Sequence, residues 1–236
     1  MKFTTCQITE GGRKPSTRRT ENQDRILSRE LPIGNASGLL LVVADGVSQT
    51  PNGGSVANWL VEKHLKEDAI DFLPGREPVL SMKDYLDNLY VQFKAEFASS
   101  EYEGMLNSGA SLSVVLLHDQ VADCLWAGDS PIYHSRKTKK AYETQLLTRP
   151  DHDRSGRITN CFGANLPFSL HHCSVQLTAD DIITLTSDGI LVDDYTLGRI
   201  YHSHPFGTPT LQEMLRISRR PPFWDDLSIV AGKALV

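Results

Sequence analysis

Two apolar runs in this chain each end in Asp-Gly. Residues 39–44 lead into Asp45-Gly46, and residues 182–187 lead into Asp188-Gly189. Short apolar runs of this kind predict buried β-strands. A carboxylate at the end of a buried strand costs several kcal/mol unless a cation compensates it, and neither aspartate has a basic neighbour in the sequence. The pattern therefore favours a divalent metal ion where the two strands end.

The overall composition is that of a globular protein with a sizeable core. The chain has 236 residues, of which 40% are hydrophobic and 22% are charged. Its formal net charge of −5 disfavours a nucleic-acid surface, so we expect protein partners and no nucleic acid. No run approaches the ~20 apolar residues needed to cross a bilayer, so we expect no membrane contact.

The cysteines indicate a reducing compartment. Cys6, Cys124, Cys161 and Cys173 form no CxxC pair and no regular disulfide framework. The N-terminus carries no signal-peptide pattern. We therefore expect a cytoplasmic protein, and we expect it to be a monomer.

Hydrophobic periodicity predicts strands, then helices, then strands again. The predicted strands cover residues 3–9, 24–28, 39–45, 111–117, 121–127, 131–135, 171–177, 181–186 and 227–232, with 111–135 forming an antiparallel meander. The predicted helices cover residues 55–70 and 81–98, with one or two more between 190 and 218. An aromatic stripe on the second helix is typical of core packing. Without repeats or linkers, the order predicts one domain over residues 1–236 and an α+β layered sandwich.

Five aspartates fall at predicted strand ends or tight turns: Asp24, Asp45, Asp129, Asp188 and Asp225. Hard oxygen ligands of this kind suit Mg²⁺ or Mn²⁺, whereas zinc would call for His and Cys at short spacing. Each aspartate also has a plainer explanation. Asp188-Gly189, for example, could be the turn of a hairpin whose second strand begins at Ile190.

Other catalytic signatures are absent. The sequence has no GxxxxGK[ST], GxGxxG, GxSxG or HExxH pattern. No cysteine is followed six residues later by the arginine that a cysteine phosphatase needs. These absences leave metal-dependent chemistry as the favoured class.

Seven segments, in order along nearly the whole chain, resemble the metal-dependent serine/threonine phosphatases of type 2C, the PPM family. They are Arg19-Thr20-Glu21-Asn22-Gln23-Asp24, Val43-Ala44-Asp45-Gly46-Val47, Gly109-Ala110-Ser111, Ala127-Gly128-Asp129-Ser130, Leu147-Thr148 with Asp151-His152, Thr186-Ser187-Asp188-Gly189 and Asp225-Asp226-Leu227-Ser228-Ile229-Val230. The resemblance is to a compact bacterial member. It implies a four-layer α-β-β-α sandwich in which helices flank two antiparallel sheets.

The resemblance also implies a site and a reaction. Asp45 should bridge two Mn²⁺ or Mg²⁺ ions, with the Gly46 carbonyl as a further ligand. Asp188 and Asp225 should hold the second ion, while Asp24 acts largely through bound water. Metal-activated water would then hydrolyse phosphoserine or phosphothreonine in a protein substrate, opposing a serine/threonine kinase.

Two further residues receive roles by resemblance. Asp129 matches the aspartate that, together with Asp188, holds a third, weaker ion in bacterial members. Arg19 matches the clamp on the substrate phosphate, since its planar fork suits phosphate oxygens. The alternative for Arg19 is a solvated basic patch with Arg13, Lys14 and Arg18.

The sequence also departs from the family pattern. Gln23 replaces a glutamate, Pro131 replaces the arginine of Gly-Asp-Ser-Arg, and Asp226 replaces the asparagine of Asp-Asn. Val47 stands where some members carry a histidine that could act as general acid. The proton of the leaving group would then come from water, from another residue such as His152, or not at all, and His152 could also be a plain loop residue. These departures keep open an alternative: a catalytically weak or inactive regulatory protein with the phosphatase fold.

Overall fold

A computed structural model describes residues 1–13, 21–34, 36–72, 75–98, 103–163, 165, 167–222 and 224–235. Ten strands form two antiparallel sheets within these residues. The strands are β1 (Lys2–Glu10), β2 (Asp24–Ile33), β3 (Ala36–Gly46), β4 (Ala110–His118), β5 (Val121–Ala127), β6 (Ile132–Lys137), β7 (Tyr142–Leu146), β8 (His171–Gln176), β9 (Ile182–Thr186) and β10 (Leu227–Leu235). One sheet has the order β1-β10-β9-β6-β7 and the other β2-β3-β4-β5-β8.

The helices fall into two groups along the chain. The first group is α1 (Gly53–Asn58), which continues without a break as a π-helical segment (Trp59–Leu65), followed by α2 (Pro78–Glu96) and the single turn α3 (Glu103–Leu106). The second group is α4 (Asp194–Ser203) and α5 (Thr208–Ser218). Each group covers the outer face of one sheet.

Alternating side chains on β3 show how the layers form. Leu40 and Val42 pack with α1 and α2 in one core, whereas Leu39, Leu41 and Val43 pack into the core between the sheets. A third core lies between the other sheet and the helices α4 and α5. Because β3 is buried on both faces, it reads as a continuous apolar run. The predicted four-layer α-β-β-α sandwich is confirmed.

The predicted meander over 111–135 is only half right. β4 and β5 pair as expected, but β6 pairs with β7 and β9 in the opposite sheet. The chain changes sheets at Gly128, whose φ of +111° favours glycine, and at Pro131, which has no N–H to give to a ladder. The sequence alone does not distinguish this crossing from a hairpin turn.

Several predicted boundaries were wrong. The first helix spans 53–65 rather than 55–70, because its glycine-rich start packs closely on β3. α2 begins at Pro78 rather than at residue 81, because proline fits the first turn of a helix. β7 and α3 were not predicted at all. Two helices do occupy the 190–218 region, as expected.

The structure bears on two further expectations. None of the four cysteines, all of which lie in the described residues, forms a disulfide bond. In the part of the chain that the structure describes, no helix is both long enough and apolar enough to cross a bilayer.

A cluster around Asp123 on β5 links the edge strand β8 with β5 and β4. His118 Nε2 lies 2.7 Å from Asp123 Oδ2, and Ser174 Oγ donates to the other carboxylate oxygen. The hydrogen bond to Asp123 raises the pKa of His118 above its usual 6.5. Burial alone would raise the pKa of Asp123, but the bonds from His118 and Ser174 lower it overall. The pair is therefore held in its charged form.

The charged pair predicts a pH window of stability. The contribution of His118 is complete below pH 6.5 and is lost as the pH rises through its raised pKa; that of Asp123 is lost as the pH falls below 4. We expect His118→Gln to lower the free energy of unfolding by about 1–2 kcal/mol at pH 5.5, and by less at pH 9. Urea unfolding at both pH values measures this, with His202→Gln, exposed on α4, as the control. An equal cost at both pH values would contradict the assignment.

Candidate metal centre

The register of β2 and β3 places two carboxylates opposite each other. Asp24, the first residue of β2, pairs directly with Asp45 near the end of β3. Asp45 in turn lies opposite Ser111 on β4. Alternate side chains of β3 pack into two different cores, so a one-residue slip of the register would move each of them into the core that it does not fit.

The other sheet brings the second Asp-Gly to the same place. Asp188 follows β9 and Asp225 precedes β10, which are neighbouring antiparallel strands. A Cβ on Gly189 would come within 2.1 Å of the Asp226 carbonyl oxygen, so only glycine permits this approach. The hairpin alternative for Asp188-Gly189 is wrong, because residues 190–192 form no strand.

Gly46 on β3 and Gly53 at the start of α1 allow the two backbones to pack closely together beside the site. A Cβ on Gly46 would lie 2.5 Å from the carbonyl carbon of Gly53, and one on Gly53 would lie 2.7 Å from that of Gly46. The Gly46 N–H donates to the Gln23 carbonyl at 3.3 Å, and Val47 N–H donates to the Gly109 carbonyl at 2.9 Å. This contact leaves the Asp45-Gly46 backbone beside the cleft.

The two strand ends open into one cleft between the sheets. It is lined by Gln23, Asp45, Gly46, Val47, Ser48, Gln49, Ser111, Asp129, Gly156, Ile158, Asp188, Asp225 and Asp226. Asp188 and Asp225 are exposed there, Asp45 and Asp129 are half-buried, and Asp24 lies beneath them at 2% exposure. The five predicted aspartates therefore converge, although they come from five separate places in the chain.

Negative charge dominates the electrostatics of the cleft. Burial raises the pKa of Asp24 to about 6, and the charge of Asp226 adds to the shift. Burial also raises the pKa of Asp45 well above its ordinary value, with further contributions from the charges of Asp24, Asp188 and Asp129. Carboxylates with raised pKa values lack the positive charge that would hold them ionised.

The residues fit a divalent cation. Both carboxylate oxygens of Asp24 are buried and have no hydrogen-bond partner within 3.5 Å among the described residues, although the nearby Ser228 and Ser187 hydroxyls partly offset the rise in its pKa. Hard oxygen donors of this kind match Mg²⁺ or Mn²⁺. As the side chains stand, no three His, Cys, Asp or Glu residues in the described ranges are grouped closely enough to coordinate one ion.

Asp226 has a role that the sequence reasoning missed. Its Oδ1 accepts from Gly12 N–H at 2.7 Å and its Oδ2 accepts from Gln23 N–H at 3.0 Å. An asparagine would present an NH₂ donor to one of these N–H groups, so the aspartate at this position suits its two donors. The only sign of this role in the sequence is that Asp226 replaces the asparagine of the family's Asp-Asn motif, and the sequence does not show which groups the aspartate binds.

The remaining predicted residues are placed unevenly. Arg19 lies outside the described residues. His152 is exposed and does not line the cleft. Burial raises the pKa of Asp129, and the charge of His152 partly offsets this rise. Val47 does line it, as the family pattern implies for this position. The Pro131 carbonyl accepts from Thr186 N–H and so joins β6 to β9.

Comparison with known proteins decides the family. A family model described as protein phosphatase 2C matches residues 12–227. The chain belongs to the protein phosphatase 2C family. Its enzyme class is therefore that of the protein serine/threonine phosphatases, a family that uses Mn²⁺ or Mg²⁺. A search of curated proteins gave no match.

Solved structures of bacterial phosphatases share the fold. PppA, described as a key regulatory component of T6SS in Pseudomonas aeruginosa, is 22% identical, with a TM-score of 0.75 over 99% of this chain and 98% of its own. Stp1 from Staphylococcus aureus is 15% identical, with a TM-score of 0.80 over 100% and 96%. The catalytic domain of PstP in complex with two manganese ions is 18% identical, with a TM-score of 0.74 over 99% of each chain.

Removing a buried carboxylate should stabilise the metal-free protein and weaken its binding of metal ions. The pKa of Asp24 is about 6 in the folded protein and 3.8 in the unfolded chain, so this residue lowers the free energy of unfolding as the pH rises from 3.8 toward 6. We expect Asp24→Asn to raise the free energy of unfolding by roughly 2–3 kcal/mol over that of the wild type at pH 7.5 in the presence of a chelator. Near pH 4 we expect the two proteins to be equally stable. Excess Mn²⁺ should stabilise the wild type more than the variant.

Thermal and urea unfolding in chelator and in Mn²⁺ measure both effects. Asp71→Asn, which changes an exposed aspartate after the first helix, is the matched control and should shift neither. An Asp24→Asn variant that is less stable than the wild type in chelator would show that these carboxylates are not under repulsion.

Proposed function

We propose that this protein is a single-domain Mn²⁺- or Mg²⁺-dependent phosphatase that hydrolyses phosphoserine and phosphothreonine in proteins. The observation that carries the proposal is the pairing of Asp24 with Asp45 across β2 and β3, with both Asp24 oxygens buried and unpartnered among the described residues. Such a pair is costly unless a cation binds it. Family membership supplies the reaction class.

Each of the five predicted aspartates has a place in this proposal. Asp45 would bridge two ions with the Gly46 carbonyl beside it, Asp188 and Asp225 would hold one of them, and Asp24 would act through water. Asp129 would bind a third ion more weakly. When bound, the ions supply a water of lowered pKa for in-line attack on phosphorus.

The chain's own residues then supply position and charge balance. Asp45 and Asp188 approach from different sheets and would orient the bound groups from both sides of the cleft. Val47 offers no proton at the position where some family members carry histidine, so the leaving group would take its proton from water. His152, exposed and off the cleft, is poorly placed for that task.

The cellular setting follows from the same proposal. A protein phosphatase of this class would act on phosphorylated proteins and oppose a serine/threonine kinase in signalling. Four cysteines without a disulfide bond fit a reducing cytoplasm. We place the enzyme there as a monomer.

Turnover of p-nitrophenyl phosphate and of a phosphothreonine peptide, titrated with Mn²⁺ and Mg²⁺, tests the proposal. Asp188→Asn should lower kcat by at least about 100-fold, since loss of a ligand should exceed the 10- to 100-fold cost that is usual for an outer-shell partner. Asp119→Asn, at an exposed turn, should retain full activity. Normal turnover by Asp188→Asn would contradict the assignment.

Wild-type protein that binds Mn²⁺ yet turns over neither substrate would favour the regulatory alternative. The departures at Gln23, Val47 and Pro131 are what motivate that alternative. A search for a partner protein would then replace a search for substrates.

Arg19 is proposed as the clamp on the substrate phosphate. Arg19→Ala should raise KM for the phosphopeptide by about 10-fold, the equivalent of one charge-assisted hydrogen bond, with a smaller change in kcat. Arg18→Ala is the matched control, one residue away. Equal and salt-sensitive effects of both substitutions would instead identify a general basic patch.

A further inference from the structure

The turn that carries Asp129 joins strands of different sheets. β5 ends at Ala127 in one sheet and β6 begins at Ile132 in the other. Gly128 has a φ of +111°, and a Cβ on it would come within 2.4 Å of Ser111 Oγ. Residues 128–131 cross between the sheets, and residues 128–130 pair with no strand in the described part of the chain. Hydrogen bonds from other residues must therefore fix the shape of this turn.

One side of the turn is held by β4. Ser111 Oγ accepts from Asp129 N–H and from Ser130 N–H, both at 3.0 Å. Ser111 is buried and lies opposite Asp45 across β3 and β4. This contact ties the turn to the floor of the cleft.

The other side is held by Asp151. Its Oδ2 accepts from Gly128 N–H at 3.0 Å, and its own N–H donates to the Gly128 carbonyl at 2.9 Å. Both backbone groups of Gly128 are thus bound by one residue, immediately before Asp129. Asp151 itself does not line the cleft.

Asp151 is in turn anchored by neighbours that keep its carboxylate in place. Asn160 Nδ2 donates to Oδ2 at 2.7 Å, and His171 Nε2 lies 2.8 Å from Oδ1. The His171 ring stacks on Trp126 with a centroid distance of 5.2 Å. The Asp151 side chain is 16% exposed, so its bonds from Gly128 and Asn160 are partly shielded from water, whereas the His171 side chain is 45% exposed.

We propose that Asp151 is a positioning residue for Asp129, fixing the Gly128 turn so that the Asp129 carboxylate is preset to bind a divalent cation. The inference rests on the proposed function of Asp129 and extends it to a residue outside the cleft. Outer-shell partners that orient a ligand typically change metal affinity or activity by 10- to 100-fold. Asp151→Ala should therefore raise the Mn²⁺ concentration that gives half-maximal turnover by about 10-fold.

Several variants separate positioning from simple structural damage. Asp151→Asn keeps an oxygen for Gly128 and Asn160 and should restore most of the Mn²⁺ response. Asp153→Ala, in the same loop, removes bonds to Ser155 and Arg157 but none to Gly128, and should leave the response unchanged. In an Asp129→Ala background, Asp151→Ala should have little further effect, because coupled residues are not additive. At saturating Mn²⁺, KM for the phosphopeptide should not change.

A binding measurement keeps failure of this proposal distinct from failure of the proposed function. Calorimetric Mn²⁺ titration without substrate should show the weak site lost or weakened in Asp151→Ala, and hydrogen exchange should show faster exchange at residues 128–130. Absent turnover in the wild type would reject only the proposed function. Unchanged Mn²⁺ binding by Asp151→Ala, or additive effects with Asp129→Ala, would overturn the positioning role.

Discussion

The pairing of Asp24 with Asp45 is the constraint on which the rest of the site depends. Two carboxylates placed opposite each other in neighbouring strands repel, and burial makes both charges more costly. The protein keeps this arrangement because the register of β3 is fixed by two apolar cores rather than by the aspartates. The packing of the sandwich thus offsets the electrostatic repulsion between the buried carboxylates, and a bound divalent cation would reduce this repulsion.

The two-sheet architecture lets the cluster form from distant parts of the chain. Asp45 ends a strand in one sheet, while Asp188 and Asp225 flank neighbouring strands in the other. Close glycine contacts, at Gly46 on one side and Gly189 on the other, allow the backbones to approach. The cleft is therefore set largely by backbone packing, and its five predicted aspartates all lie within two residues of a strand end.

Sequence reasoning predicted most of the fold because β3, β4 and β9 are apolar and their limits are clear. It could not predict that β6 joins the opposite sheet, because a crossing at Gly128 and a hairpin turn use the same residues. β7 was missed because its five residues are mostly exposed and polar, with little hydrophobic alternation to detect. Likewise, the convergence of five aspartates was predictable from motif order, whereas the bonds of Asp226 and Asp151 depend on tertiary contacts.

Diffraction from crystals grown with Mn²⁺, recorded at the manganese absorption edge, tests the central claim most directly. The account predicts anomalous density within coordination distance of the Asp45 carboxylate, with Asp188 and Asp225 as further ligands. Anomalous density only elsewhere, for example at the His118–Asp123 cluster, would contradict it, as would an ordered cleft with no density at saturating Mn²⁺.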